Sequence, residues 1–281
     1  MRRVDDRVEQ IRAHFDALGE GEWARLVATP RVRVTLELHT RMLRRFIRPG
    51  ARVLEIGAGP GRFTIPLARL GARVVVTDLS ATQLALNREK VAEAGCEHAV
   101  DDRAQLDIRD LSRFPDASFD GVVAYGGPLS YVFEQAPRAL AECLRVTRAG
   151  GVVLASVMSL VGTTRFLMPN VLREVEAGGV QGIDHVIQTG DLRPSQPTGH
   201  VCQMYRWREV EALIAEAPCR LLAASASSAI SPERAELLVR VAADPELWTR
   251  FLDWEERLAQ EPGALDGGTH ILFAVERVET R

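Results

Sequence analysis

The sequence predicts an α/β fold in which a mostly parallel sheet is covered by helices on both faces. Two observations predict it. Strand and helix patterns alternate from about residue 51 onward, and strands such as Val74-Val75-Val76 and GVVLASV at 151–157 are apolar throughout. A strand that is apolar at every position is buried on both faces, as in a parallel sheet flanked by helices. Ligands in such sheets sit beyond the carboxyl ends of the strands, near the switch in strand order.

The elements follow in order. Val4, Val8, Ile11, Phe15 and Leu18 recur at spacings of four and three, which predicts an amphipathic helix. A second helical stretch follows over about Thr35 to Ile47, so residues 1–50 are expected to form a helical cap ahead of a domain at 51–281. Strands are expected at Arg52 to Ile56, Arg73 to Thr77, weakly at Glu97 to Val100, then at Gly121 to Tyr125, Gly151 to Met158, Arg220 to Ser225 and His270 to Val278. Helices are expected at Ile65 to Leu70, Ala81 to Ala94, Pro137 to Thr147 and Trp207 to Ala217. Two inserts exceed a minimal sheet. Residues 159–206 are rich in Gly and Pro and read as a long functional loop. In residues 232–262, Leu247, Phe251, Trp254 and Leu258 share one helical face, expected to pack on the core beneath a solvated acidic face that includes Glu255. Trp248 and Trp254 suit either inward packing or a homodimer contact.

Composition narrows the function classes. Of 281 residues 46% are hydrophobic and 26% charged, with a net charge of −3, a balance that calls for no nucleic-acid partner. Six arginines between Arg31 and Arg48 face only Glu37; an RNA patch is the alternative to a solvated helix face. Cys96, Cys143, Cys202 and Cys219 are scattered without a CxxC pair, so no zinc knuckle or disulfide scaffold is expected. The charged start MRRVDDRVEQ lacks the apolar run of a signal peptide and no stretch has the length of a membrane span, so a cytoplasmic setting is expected.

The chemistry concentrates in VLEIGAGPGRFT at 53–64, where an apolar strand ends in Glu55 and turns through Gly57, Gly59 and Gly61. Glycine allows positive φ and carries no Cβ, so the backbone turns tightly and presses against a ligand, while the next helix offers free N–H groups. The dinucleotide fingerprint GxGxxG places its third glycine one residue later, where this chain has Arg62. A phosphate-binding loop would need GK[ST], which is absent. Asp78 ends the second strand and suits a ribose diol.

With Leu106-Asp107-Ile108, FDGVVAYGG and LRVTRAGGVVL following in order, residues 51–158 resemble the class I S-adenosylmethionine-dependent methyltransferases, and EWARL matches ahead of them. The resemblance implies a Rossmann-like, doubly wound, seven-stranded sheet with an antiparallel last strand. It implies S-adenosylmethionine as cofactor, with S-adenosylhomocysteine as product. Gly57, Ala58, Gly59 and Gly61 would lie against its methionine and ribose part, with Glu55 orienting the loop or the amino group. Asp78 would take the ribose hydroxyls, Leu79 the adenine face, Asp107 the adenine amino group and Ile108 the ring, while Tyr125 and Gly126 would border the sulfonium. The family motif [DN]PP[YF] for nucleic-acid amino methylation is replaced by Tyr125-Gly126-Gly127-Pro128. The cap and long insert suit a small-molecule acceptor, methylated on O, N or C by in-line displacement; an RNA substrate or a non-catalytic cofactor binder are the alternatives. Methyl transfer depends mainly on alignment, with a base adding about 10²- to 10⁴-fold. The candidate bases are His200, Tyr131 and His185, with Tyr205 nearby and Trp23 as a cover over the cofactor.

Overall fold

The computed structural model describes residues 2–193, 200–231 and 235–279. Two pieces of the inserts, 194–199 and 232–234 with Glu233, lie outside the described residues. The strands are β1 (Arg52–Ile56), β2 (Arg73–Asp78), β3 (Val100–Gln105), β4 (Phe119–Ala124), β5 (Thr147–Met158), β6 (Cys219–Ala226) and β7 (His270–Arg277). They form one sheet in the order β3-β2-β1-β4-β5-β7-β6. Neighbours from β3 to β5 are parallel, while β7 runs antiparallel to both β5 and β6. The strand order reverses between β1 and β4, so the carboxyl end of β1, where the glycine loop begins, is the switch point.

Twelve α-helices are described: α1 (Arg2–Leu18), α2 (Glu20–Arg25), α3 (Pro30–Phe46), α4 (Thr64–Arg69), α5 (Ala81–Glu93), α6 (Ala136–Val146), α7 (Leu160–Phe166), α8 (Met168–Gly178), α9 (Gln181–Thr189), α10 (Trp207–Ala215), α11 (Ala235–Ala242) and α12 (Pro245–Ala259). One core layer joins α6 and α10 to one face of the sheet, through Leu140, Leu144, Val210 and Ile214 packed on Val122, Val153 and Phe273. The opposite layer places Met42 and Leu43 of α3 and Leu67 of α4 on Val53, Val74 and Leu272. Thus α3 belongs to the domain's own core. It begins at Pro30, five residues before the expected start, because Pro30 fits the first helical turn and the Thr29 side chain accepts from the Val32 N–H.

Three expectations are corrected. The third strand is Val100–Gln105, and Glu97–Ala99 is a 3₁₀ turn before it. As the edge strand it holds Asp101, Asp102, Arg103 and Gln105 at or near the surface, so its residues carry little apolar pattern. The segment 159–206, expected as a loop, contains α7, α8 and α9. Its Pro and Gly residues punctuate helices: Pro169 sits in the first turn of α8, and Gly179 and Gly190, with φ of 80° and 74°, end α8 and α9.

The third correction concerns α12, where Leu247, Trp254 and Leu258 are exposed and the buried positions are Phe251, Leu252, Glu255 and Ala259. Hydropathy misplaces the face because a glutamate turns inward. Glu255 is fully buried and accepts hydrogen bonds from Ala229 N, Ile230 N and Ser231 Oγ. Among the arginines of α3, Arg41 pairs with Asp253 and Glu256 of α12, and Arg44 pairs with Glu37 within α3.

Candidate cofactor and acceptor site

The glycine loop is held from below and from the side. Glu55, the penultimate residue of β1, lies beneath the loop, where its Oε2 accepts from Thr64 Oγ1 at 2.7 Å. Asn87 of α5 donates to Thr64 Oγ1 at 2.9 Å and to the Gly59 carbonyl at 3.3 Å, and itself accepts from Arg103 at 3.0 Å. Asp78 holds the loop from β2: one carboxylate oxygen accepts from Gly59 N and the other from Ser80 N, each at 2.8 Å. Burial pushes both acids up, Glu55 to about 8 and Asp78 to about 6. Glu55 Oε1 has no hydrogen-bond partner.

The loop conformation requires glycine for two different reasons. At Gly57, with φ of 67°, a Cβ would come within 2.7 Å of Pro128. At Gly59, with φ of 51°, a Cβ would meet nothing within 4 Å, so that position opens onto free space beside Asp78. Gly126 is open in the same way, with φ of 80°.

That space is one continuous cleft. Its walls include Gly57, Ala58 and Gly59 of the loop, Asp78 and Leu79 after β2, Asp107 and Ile108 after β3, and Tyr125 and Gly126 after β4. These belong to the set that the sequence singles out for the cofactor. Gly61 and Glu55 are not among the cleft's walls; Gly61, with φ of 101°, packs on Val91 and Asn87 behind the loop. Asp107 is engaged by Arg109, whose Nε and Nη2 lie 2.9 and 2.5 Å from its carboxylate, and Arg109 also lines the cleft. The residues fit S-adenosylmethionine: the apolar side chains of Leu79 and Ile108, the buried carboxylate of Asp78, and two backbone turns without side chains line the cleft.

The N-terminal helices close the other side. Asp16 accepts from Ser80 Oγ at 2.5 Å, and Gln83 of α5 donates to the carbonyls of Phe15 and Gly19. Arg62 donates to the Trp23 carbonyl, and its guanidinium lies 3.4 Å from the centroid of the Trp23 ring. Trp23 packs toward Ile65 and Val91 and is not part of the cleft wall; its neighbours Glu22 and Arg25 are.

The candidate bases separate. Tyr131 lines the cleft. His200 is not in its wall but stands behind Tyr131, with ring centroids 5.7 Å apart and its Nδ1 3.2 Å from His14 Nε2. Burial, with help from His14 and Arg25, lowers the His200 pKa to about 4. His185 lies on α9 and Tyr205 in the core under α10, both away from the cleft. Sequence reasoning missed His39, Phe63 and His270, which share the cleft wall with Tyr125. They come from α3, the loop and the start of β7, and nothing local in the sequence marks their convergence. Arg109 carried a readable signal, a cation two residues from Asp107. Among the described residues no cluster of His, Cys, Asp and Glu is placed to hold a metal.

Comparison with known proteins places this geometry. The family model described as a methyltransferase domain matches residues 53–151. The chain is 36% identical over 138 residues to a phosphatidylethanolamine N-methyltransferase of Cereibacter sphaeroides, covering 49% of this chain and 62% of that protein. It is 30% identical over 157 residues to a malonyl-[acyl-carrier protein] O-methyltransferase of Pectobacterium atrosepticum, covering 56% of this chain and 54% of the relative. The matches thus span less than two thirds of either relative. An S-adenosylmethionine-dependent methyltransferase structure from Thermotoga maritima superposes with a TM-score of 0.59 at 16% identity, over 94% of this chain and 98% of that one. A geranyl diphosphate C-methyltransferase of Streptomyces coelicolor, solved with S-adenosylhomocysteine, gives a TM-score of 0.53 at 15% identity, over 86% and 78%. Residues 53–151 thus match a methyltransferase domain, and the chain shares its fold with solved S-adenosylmethionine-dependent methyltransferases.

Proposed function

We propose that the protein transfers the methyl group of S-adenosylmethionine to an O, N or C atom of a small-molecule acceptor. The observation that carries this reading is the cradle at the switch point: a buried Asp78 that fixes the Gly59 N–H beside an open, side-chain-free turn. When bound, S-adenosylmethionine supplies an electrophilic methyl group. The chain's own residues position and exclude. Asp78 accepts from the ribose hydroxyls, Leu79 and Ile108 sandwich the adenine, and Asp107, steadied by Arg109, faces the adenine amino group. Gly57, Ala58 and Gly59 line the methionine part, Glu55 and Gly61 hold that loop from behind, and Tyr125 and Gly126 border the reacting centre. Residues 1–50 serve as the N-terminal cap of the domain at 51–281: the contacts of Asp16, Gln83 and Arg62 support closure by α1 and α2, while α3 anchors the cap on the sheet. Tyr131 stands on the acceptor side with His200 behind it, and His185 is the more remote candidate.

The relatives' names specify N- and O-methylation of different acceptors, which supports the reaction class rather than one acceptor. The four free cysteines support a reducing, cytoplasmic setting. The described residues include no helix long and apolar enough to cross a membrane. Leu247, Trp254 and Leu258, exposed on one side of α12, support a contact between two copies. Calorimetry with S-adenosylmethionine, S-adenosylhomocysteine and NAD tests the cofactor: the first two are expected to bind, and binding of NAD alone refutes the reading.

A further inference from the structure

Where α3, the glycine loop, β4 and β7 meet, four rings close on one another. His39 stands edge-on to Tyr125 with centroids 4.8 Å apart, 5.3 Å from Phe63 and 5.8 Å from His270. Phe63 and Tyr125 meet edge to face at 5.2 Å. All four line the cleft that contains Asp78. His39 is 2% and Tyr125 3% exposed, and each carries a polar atom with no hydrogen-bond partner: His39 Nε2 and the Tyr125 hydroxyl.

The other nitrogen of His39 fixes what Nε2 is. Nδ1 lies 2.7 Å from the Thr35 carbonyl, which can only accept, so Nδ1 carries the proton and donates it. Burial lowers the His39 pKa to about 4, which keeps the ring neutral. Nε2 is therefore a bare lone pair. The Tyr125 hydroxyl, whose pKa burial raises, is a neutral donor. The groups facing this pair leave it uncharged. His270 of β7 is neutral too, its pKa lowered to about 3 by burial, His39 and Arg25, and its Nδ1 is taken by Thr269 Oγ1. Arg25 of α2 is itself paired with Glu22.

The geometry points to this ring chamber as the acceptor's seat, in which His39 Nε2 and the Tyr125 hydroxyl together recognise one neutral hydroxyl, the group that receives the methyl on its remaining lone pair. One lone pair and one donor match a hydroxyl, which donates once and accepts once. A carboxylate would set its own lone pair against that of Nε2, and an acceptor without an O–H would leave Nε2 orphaned. Both side chains are almost wholly buried in the cleft wall, and neither atom has a partner within the protein. The inference rests on the methyltransferase reading, because Tyr125 also borders the reacting centre in it.

The test uses the full chain saturated with S-adenosylhomocysteine and two probes of similar shape, phenol and anisole. Phenol is expected to bind at least tenfold more tightly, and this preference is expected to collapse below threefold in His39→Phe and to shrink in Tyr125→Phe. The ¹⁵N spectrum of histidine-labelled protein is expected to show His39 neutral with its proton on Nδ1, and phenol is expected to move the Nε2 resonance. Equal binding of the two probes to the wild type, or a His39 proton on Nε2, overturns the inference even where His39→Phe fails to fold. Retention of the preference in both variants overturns it as well. S-adenosylhomocysteine affinity separates the two levels: if the wild type does not bind it, the methyltransferase reading falls and the acceptor inference falls with it.

Discussion

Asp78→Ala separates a ligand-binding carboxylate from a structural one. If Asp78 accepts two hydrogen bonds from the ribose diol, their loss at about 1.5–3 kcal/mol each weakens S-adenosylmethionine binding by about 3–6 kcal/mol. At about 1.4 kcal/mol per decade that is roughly 10²- to 10⁴-fold in Kd. The free protein behaves differently. Burial lifts the carboxyl from 3.8 to about 6. An acid whose folded pKa is raised binds more protons folded than unfolded, so stability is lost as pH rises between those two values. Above pH 7, keeping Asp78 ionised costs the unliganded fold up to about 3 kcal/mol at about 1.4 kcal/mol per pH unit. Alanine removes that cost but leaves Gly59 N and Ser80 N unpaired, at about 1–3 kcal/mol each. These effects oppose each other, so the expected signature is a large affinity loss with a small change in melting temperature. Titration calorimetry and thermal melts at pH 7.5 measure the two. A Kd within threefold of wild type shows that the ribose lies elsewhere. A collapse of the melting temperature shows that Asp78 is structural.

Gly59→Ala asks the same of the loop: its Cβ meets nothing in the free protein, so stability should fall only by the left-handed φ cost of about 1–2 kcal/mol, while S-adenosylmethionine affinity drops at least a hundredfold. Retained affinity by calorimetry would mean that no ligand approaches this turn. For Glu55, raised from 4.5 to about 8, wild-type stability should decline as pH climbs from about 5 to 8. Glu55→Gln should flatten that decline, and thermal melts that leave the slope unchanged would contradict the burial argument. His200→Ala should lower turnover on an identified acceptor far more than cofactor affinity, and a fully active variant removes His200 from the mechanism. Trp254→Glu should convert a dimer to a monomer by sedimentation, whereas a monomeric wild type removes the α12 contact.

The cofactor half of the cleft was legible because its residues are local. Glu55 to Gly61, Asp78-Leu79 and Asp107-Ile108 each sit within a few residues of a strand's carboxyl end, and strand apolarity marks those ends. The convergence of His39, Phe63 and His270 on Tyr125 was not, because the four residues come from separate elements spread over most of the chain. No spacing rule relates a helix turn in the N-terminal region to the first residue of the last strand. Where local reasoning went astray, a polar residue did a core residue's work or turn residues served as helix ends. Glu255 faces inward because three donors meet it, and Gly179 and Gly190 terminate helices rather than loosen a loop.

The electrostatics of the cleft divide along the same line. Glu55 and Asp78 are destabilised as anions by burial, which outweighs the attraction of Arg103 at Glu55 and the backbone N–H groups of Gly59 and Ser80 at Asp78. A cationic cofactor adds opposite charge, so its binding should draw protons off these acids and strengthen as pH rises through about 6 to 8. At the ring chamber the logic inverts. His39 and His270 are held neutral, so a cationic acceptor would add positive charge where no carboxylate faces it.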